Sequence, residues 1–489
     1  MAAIITEKFR THNARQFIED FSETGDRNFI FIGRSHSWPD DTAPPPPANS
    51  IEEEINAYQD MIALKKVGPT DISHGLVRYN WTSGTTYDEY RHNYSATNTT
   101  NKTNVSNFYD GRGYVITSDF KVYKCIKSGA GGSSDEPSHT GVHPVLETDG
   151  YMWKFMYSVV ASDVIKFVTN DFIPVKTLGA KAAVNGSGTN GGFGSTATDD
   201  GSAQWDNENG AVDGTIYNYV VTAAGSGYSN GSTNTFTFDV AIEGDGSGAV
   251  ATLQFTSGSL TSVVFKDSSS YGTGYKRASH PALTSALSGL TAGTGATFDP
   301  IISPINGHGA DPVEELGGNY AIVNSRLEFG ETDGSGDSDF PTDNDFRQIG
   351  LIKNPVKSDG GAVSDDPTMT ATNLLTVVDG STIAVDDLLT DASSESATTA
   401  KVRVVSKSGN VLKTLPVVNS GGEYVAFANS DEVYRNGSGS KTTDVTGSGV
   451  STAHPEMTRF TGQILYVENR GAVSRAADQI EDIKLIIEM

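Results

Sequence analysis

The chain has 489 residues, a formal charge of −25 and 36% hydrophobic residues, with 53 glycines. That length exceeds what one hydrophobic core organises, so two or more domains are expected, and the Gly-rich, apolar-poor composition favours short strands and turns over long helices. A surface this acidic repels phosphate backbones and argues against nucleic-acid binding, and no run of about 18 apolar residues predicts a membrane-spanning helix.

The single cysteine, Cys125, cannot form an intrachain disulfide and favours folding in a reducing cytoplasm. The first residues, MAAIITEKFRTHNARQF, lack a basic stretch followed by an apolar run, so no secretory leader is expected there. Ala14, Phe17, Ile18 and Phe21 recur at helical spacing and predict a short amphipathic helix ending near Gly25. An apolar strand is expected at 28–32. Four consecutive prolines, Pro44, Pro45, Pro46 and Pro47, then make a stiff arm without backbone donors.

Ser50 and Glu53 form a capping box for a helix expected to continue through Lys65 and Lys66 to Gly68-Pro69. Ile51, Ile55, Tyr58 and Ile62 would be its core-facing stripe. From 71 to 175 the pattern turns to strands. Residues 114–117 and 121–127 predict a hairpin around Ser118-Asp119-Phe120, with Cys125 a small structural side chain; further strands are expected at 152–157 and 172–175. Pro174 requires an edge or terminal position.

Residues 180–214 are polar and Gly-rich and read as a linker. An internal repeat follows. Gly225-Ser-Gly-Tyr228 recurs as Gly272-Thr-Gly-Tyr275, and Gly246-Ser-Gly-Ala249 as Gly293-Thr-Gly-Ala296, at one common offset. Between them Phe236, Phe238, Val240 and Ile242 alternate with polar residues, as in a half-buried strand. A second β-rich segment is expected around 374–415, a flexible stretch at 437–451, a strand at 463–467, a turn or short helix at 470–479 and a final apolar segment at 480–487.

Loose motif matches are numerous and weak. Gly227-Tyr-Ser229-Asn-Gly231 fits a nucleophile elbow, but strand-type alternation follows where a helix is required, and Lys276 replaces the serine in the repeat's second copy. Gly437-Ser-Gly-Ser-Lys441-Thr442 lacks the glycine before lysine that a phosphate loop needs. His139 and His143 with nearby carboxylates suit a metal in residue type, yet Gly141 and Pro144 argue for a loop. The acidic loop 331–345 lacks the spacing of a calcium loop. Trp153, Phe155 and Tyr157 fit strand aromatics better than a sugar platform. No catalytic residue, metal or cofactor is assigned.

Five segments stand apart from this background: GRGYVITSDFKVYKCIK ending at Lys127, GYMWKFMY at 150–157, GHGADPVEELGG at 307–318, DNDFRQIGLIKNP at 343–355, and GQILYVENRGAVSRAADQIEDIKLIIE at 462–488. Together they resemble the dimeric baseplate wedge subunits of T-even-type, contractile-tailed bacteriophages. The resemblance covers about 1–180, 300–355 and 456–489. It implies a mainly β, multidomain protein with a layered β-sandwich core and a few helices. Residues 1–180 would form a core β domain with N-terminal helices. An inserted β domain would occupy 181–300, with a return to the core at 301–355. A second small inserted β domain would occupy 356–455, and 456–489 would be a C-terminal core segment.

It further implies a non-enzymatic virion protein of the tail baseplate, assembled in the host cytoplasm. Its partners would be itself, as a homodimer, and other wedge proteins, with neither nucleic acid nor membrane. Candidate interface residues are Pro44, Pro45, Pro46 and Pro47 of the arm, and Glu468, Asn469, Arg470 and Arg475 near the C-terminus. The alternative is a trimeric receptor- or glycan-binding tail fibre or adhesin, suggested by the repeats and the Gly/Ser/Thr-rich composition.

Overall fold

A computed structural model describes residues 4–179, 198–284, 287, 289–328, 339–476 and 479–489. The chain is mainly β, with short helices at Glu7–Glu19, Ile51–Asp60, Ala161–Phe167, Ala203–Asn209 and Pro312–Leu316. It divides into two compact units. One comprises Met1–Phe17, Ser73–Ile322 and Ile486–Met489; the other comprises Ile18–Ile72 and Val323–Leu485.

In the first unit, Tyr114–Ile116 and Lys121–Lys127 form the expected hairpin, in register Tyr114↔Lys124 and Ile116↔Val122. Phe120 takes a positive φ of 58° at its turn. Met152–Ser158 continues this sheet, which is apolar on both faces. Val122 and Met156 join one cluster, while Tyr123, Cys125, Trp153 and Phe155 join another. Phe172–Val175 is an outermost strand, and so accommodates Pro174.

The GHGADPVEELGG segment builds a buried charge cluster. Asp311 caps the helix Pro312–Leu316, and Glu315 reaches the sheet. The Glu315 carboxylate accepts from Lys124 Nζ at 2.8 Å, His308 Nδ1 at 2.5 Å and the Gly309 amide at 2.6 Å. Burial raises the Glu315 pKa, but the Lys124 ammonium and His308 outweigh it and hold the carboxyl well below its ordinary value. Lys154 lies directly opposite Lys124 in the sheet and donates to Phe155 O at 3.1 Å.

The tyrosine-glycine repeat forms the core of residues 216–302, and its two halves clasp each other. Tyr228 lies over Gly293, and Tyr275 over Gly246. A Cβ on Gly293 would stand 2.3 Å from the Tyr228 ring, and one on Gly246 2.5 Å from the Tyr275 ring, so each tyrosine demands the other motif's glycine. Both tyrosines are 1% exposed. Val240 and Ile242 are buried and Phe236 and Phe238 half-buried, while Thr235, Thr237, Asp239 and Ala241 face solvent.

In the second unit, five strands pair in the order Thr368–Thr370, Met61–Val67, Asn28–Gly33, Asn344–Lys353, Gln463–Arg475. A closed six-stranded barrel spans Asn373–Val377 to Thr443–Val450 around Leu375, Val404, Leu412 and Val445.

Four local expectations are corrected. The helix capped by Ser50 stops at Asp60, and Met61–Val67 is a strand. Met61, Ile62, Ala63 and Leu64 are all fully buried between neighbouring strands, which an unbroken apolar run satisfies better as a central strand. The half-buried Arg459 closes the helix by donating from its guanidinium to Tyr58 O at 3.2 Å and Gln59 O at 3.1 Å. Within the expected linker, residues 180–197 lie outside the described residues. Ala203–Asn209 is a helix capped by Ser202 and held by Glu208, which accepts from the Leu178 and Gly179 amides. Thr443–Val450, expected to be flexible, is a barrel strand. Of the turn or short helix expected at 470–479, residues 470–475 are instead the second half of the continuous strand Gln463–Arg475, and residues 477 and 478 lie outside the described residues.

A candidate docking groove at the sheet edge

The proline arm and the C-terminal segment, far apart in sequence, meet in the second unit. Gln463–Arg475 is the outermost strand of the five-stranded sheet, hydrogen-bonded on one side to Asn344–Lys353. Arm residues 34–47 cross its outer side. Arg347 chelates Asp41 through Nε at 3.0 Å and Nη2 at 2.9 Å, and Asp41 in turn accepts the Trp38 amide at 2.8 Å. The Arg34 guanidinium lies 3.6 Å from the Trp38 ring centre. Thus fixed, Trp38 Nε1 donates to Arg470 O at 2.9 Å, and Asn469 Nδ2 donates to Pro45 O at 3.0 Å. The other Asn469 group, Oδ1, accepts from Gln348 Nε2 at 2.9 Å.

Beyond these contacts the arm and strand diverge around a groove of about 450 Å³. Residues 47–51, 53 and 54 form one wall, and residues 464–467 the other. Ser50 Oγ accepts the Glu53 amide at 3.2 Å and starts the helix at this wall. The stripe expected to be core is split here. Tyr58 is buried and donates to Gly462 O at 2.8 Å, whereas Ile51 is 77% and Ile55 41% exposed. The helix ends at Asp60, and the apolar side chains of Ile51 and Ile55 in its first turns are left facing solvent. Leu465, 37% exposed, has no counterpart across the sheet, because the register shifts between Leu351 and Ile352.

The groove is acidic. Glu53 and Glu54 stand in its wall, which contains no lysine or arginine; from outside the wall the Arg34 charge acts on Glu53. At the far end of the groove Tyr466 donates to Glu468 at 3.0 Å, and Glu468 pairs with Arg470 at 3.3 Å. Burial, then the Glu468 charge, raises the Tyr466 hydroxyl to about 12.

Pro45, Pro46, Pro47 and Arg470 are exposed, and Pro44, Glu468 and Asn469 half-buried. Arg475 is different in kind. It is 1% exposed, and its Nε donates to both Glu481 oxygens at 3.1 and 3.0 Å while Nη1 donates to Pro341 O at 3.2 Å. It fixes the end of the strand from within. The sequence signal missed for this groove was the strand character of MIALKKV, which shortens the helix and uncovers Ile51 and Ile55.

The other motifs take structural roles. Ser229 ends the strand Ile216–Ser229, accepts the Gly231 amide at 3.0 Å, and is followed by the strand Phe236–Ala241. Lys441 pairs with Asp444 at 2.8 Å and Glu432 at 3.6 Å. His139 faces Trp153 O at 3.1 Å and His143 the Tyr217 hydroxyl at 3.1 Å, on separate partners. Trp153, Phe155 and Tyr157 are buried core residues. Of the acidic loop 331–345, residues 331–338 lie outside the described residues; Asp345 pairs with Arg347 at 3.0 Å. Among the described residues the one group spaced to hold a metal is Asp20, Glu23 and Asp26, and the Lys353 ammonium already lies 3.1 Å from Asp20 and 2.6 Å from Asp26.

Comparison with known proteins agrees with the sequence resemblance. Residues 3–131 match the family described as Phage-Gp8: Bacteriophage T4, Gp8. Baseplate wedge protein gp8 of Enterobacteria phage T4 is 25% identical over 201 residues, covering 35% of this chain and 60% of that protein. The family match includes the proline arm, the Ser50-capped helix and the hairpin through Lys127. Over these residues the chain resembles the baseplate wedge subunits of T-even-type bacteriophages.

Proposed function

We propose that this chain is a structural subunit of a contractile-tail baseplate wedge. It resides in the virion tail after assembly in the host cytoplasm. It acts as a homodimer that links other wedge proteins and transmits the baseplate's change of shape without a bond-making step. The observation that carries this reading is the match of residues 3–131 to the phage T4 gp8 family. The groove supports it physically, since a rigid sheet edge beside exposed apolar side chains suits protein contact.

The interface is proposed to centre on Pro44, Pro45, Pro46, Pro47, Glu468, Asn469 and Arg470, with Arg475 positioning the strand that carries the last three. The core and insert boundaries at 180, 300, 355 and 455 are proposed with it. Sedimentation equilibrium of the full-length chain tests the assembly state. A mass near twice 51.7 kDa supports the wedge reading; a stable trimer that binds a glycan array replaces it with the fibre or adhesin reading.

A further inference from the structure

We infer that the groove holds an extended polypeptide segment of alternating apolar and basic residues, seated as an added strand beside residues 464–467. This deepens the wedge reading and rests on it for the source of the segment.

The backbone edge is the first argument. Among the described residues the strand Gln463–Arg475 has one neighbouring strand in its sheet, Tyr58 engages the backbone at Gly462 and Ile464, and edge groups beyond these are satisfied most completely by another strand. A docked helix, its backbone already bonded internally, would leave them unmet. The arm sets the register, because Trp38 and Pro45 occupy the edge at 469–470 and confine an incoming strand to 464–467. At about 3.3 Å per residue that span faces roughly four residues of the partner.

The side chains define its chemistry. Ile51 and Leu465 offer apolar contact to alternate residues on one face of such a strand. Glu53 and Glu54, without a basic residue in the wall, call for lysine or arginine on the partner. A second copy of this chain related by a two-fold axis would set this acidic wall against itself, so the charge favours a different protein.

The test uses the full-length chain and a labelled synthetic peptide of alternating valine and lysine, read by fluorescence anisotropy. Two further peptides carry N-methyl groups on alternate amides or glutamate in place of lysine. The double variant Glu53→Lys/Glu54→Lys and the distant control Glu243→Lys are compared, with circular dichroism to verify folding. Binding of the valine–lysine peptide is expected, weakened about tenfold or more by N-methylation, by glutamate and by the double variant, and unchanged in the control. Equal binding of the N-methylated peptide would reduce the effect to charge adsorption and overturn the inference. So would undiminished binding by the double variant, or a dimer that this variant alone dissociates. Assembly of the wild-type chain with wedge proteins is measured separately. Its success without peptide binding overturns only the proposed occupant, whereas its failure overturns the wedge reading.

Discussion

Lys124 and Lys154 face each other across the sheet, both 1% exposed, yet their environments are unequal. Lys124 is held by Glu315 and lies 4.2 Å from the Tyr90 ring centre. Lys154 donates to one backbone carbonyl, and burial lowers its pKa to about 7. Removing one member of a buried pair strands the other, whereas replacing a poorly compensated ammonium by an apolar chain of similar volume relieves desolvation. Lys124→Met is therefore expected to destabilise by about 3–5 kcal/mol, and Lys154→Met to be neutral or stabilising by about 1–2 kcal/mol. Chemical denaturation of both variants checks this, and equal losses would refute the distinction.

At the scale of elements, alternation and turn residues exposed the hairpin, the repeat strands and the buried role of Cys125. The boundaries that failed were those set by distant partners. Met61–Val67 carries apolar residues compatible with either period; two neighbouring strands and Arg459 decide for β. Thr443–Val450 reads as a polar loop until the barrel's closure supplies its hydrogen-bond partners. The repeat makes a sharper prediction. Gly293 and Gly227 both have positive φ, 120° and 73°, but a Cβ at 227 meets nothing nearer than 3.9 Å. Gly227→Ala is expected to cost about 1–2 kcal/mol from backbone strain. Gly293→Ala, clashing with Tyr228, is expected to cost about 3 kcal/mol or more. Thermal unfolding that ranks them the other way would contradict the tyrosine clasp.

For the whole molecule, three partly or fully buried histidines set the acid limit. Burial lowers His74 and His308 in the first unit, and His36 in the second, to about 4. Between their ordinary value of about 6.5 and 4 the unfolded chain binds protons that the folded chain refuses, so stability falls as pH falls through that window. Below it, carboxyls with depressed pKa values, such as Glu315 and the Lys353-bound Asp26, add to the loss. Melting temperatures measured from pH 7 to 4 should decline continuously, and a flat profile would be inconsistent with neutral buried histidines.

Composition, period and turn chemistry determined that this chain is acidic, mainly β and built around a tyrosine-glycine repeat, because those signals are local to each segment. The resemblance to phage wedge subunits was also legible, since it rests on short strings of residues. Tertiary structure decided where the Ser50 helix ends, that Arg475 is buried while Ile51 is not, and that the proline arm straps the C-terminal strand. Each depends on which distant surfaces meet, and burial is a property of the meeting surfaces rather than of either segment alone.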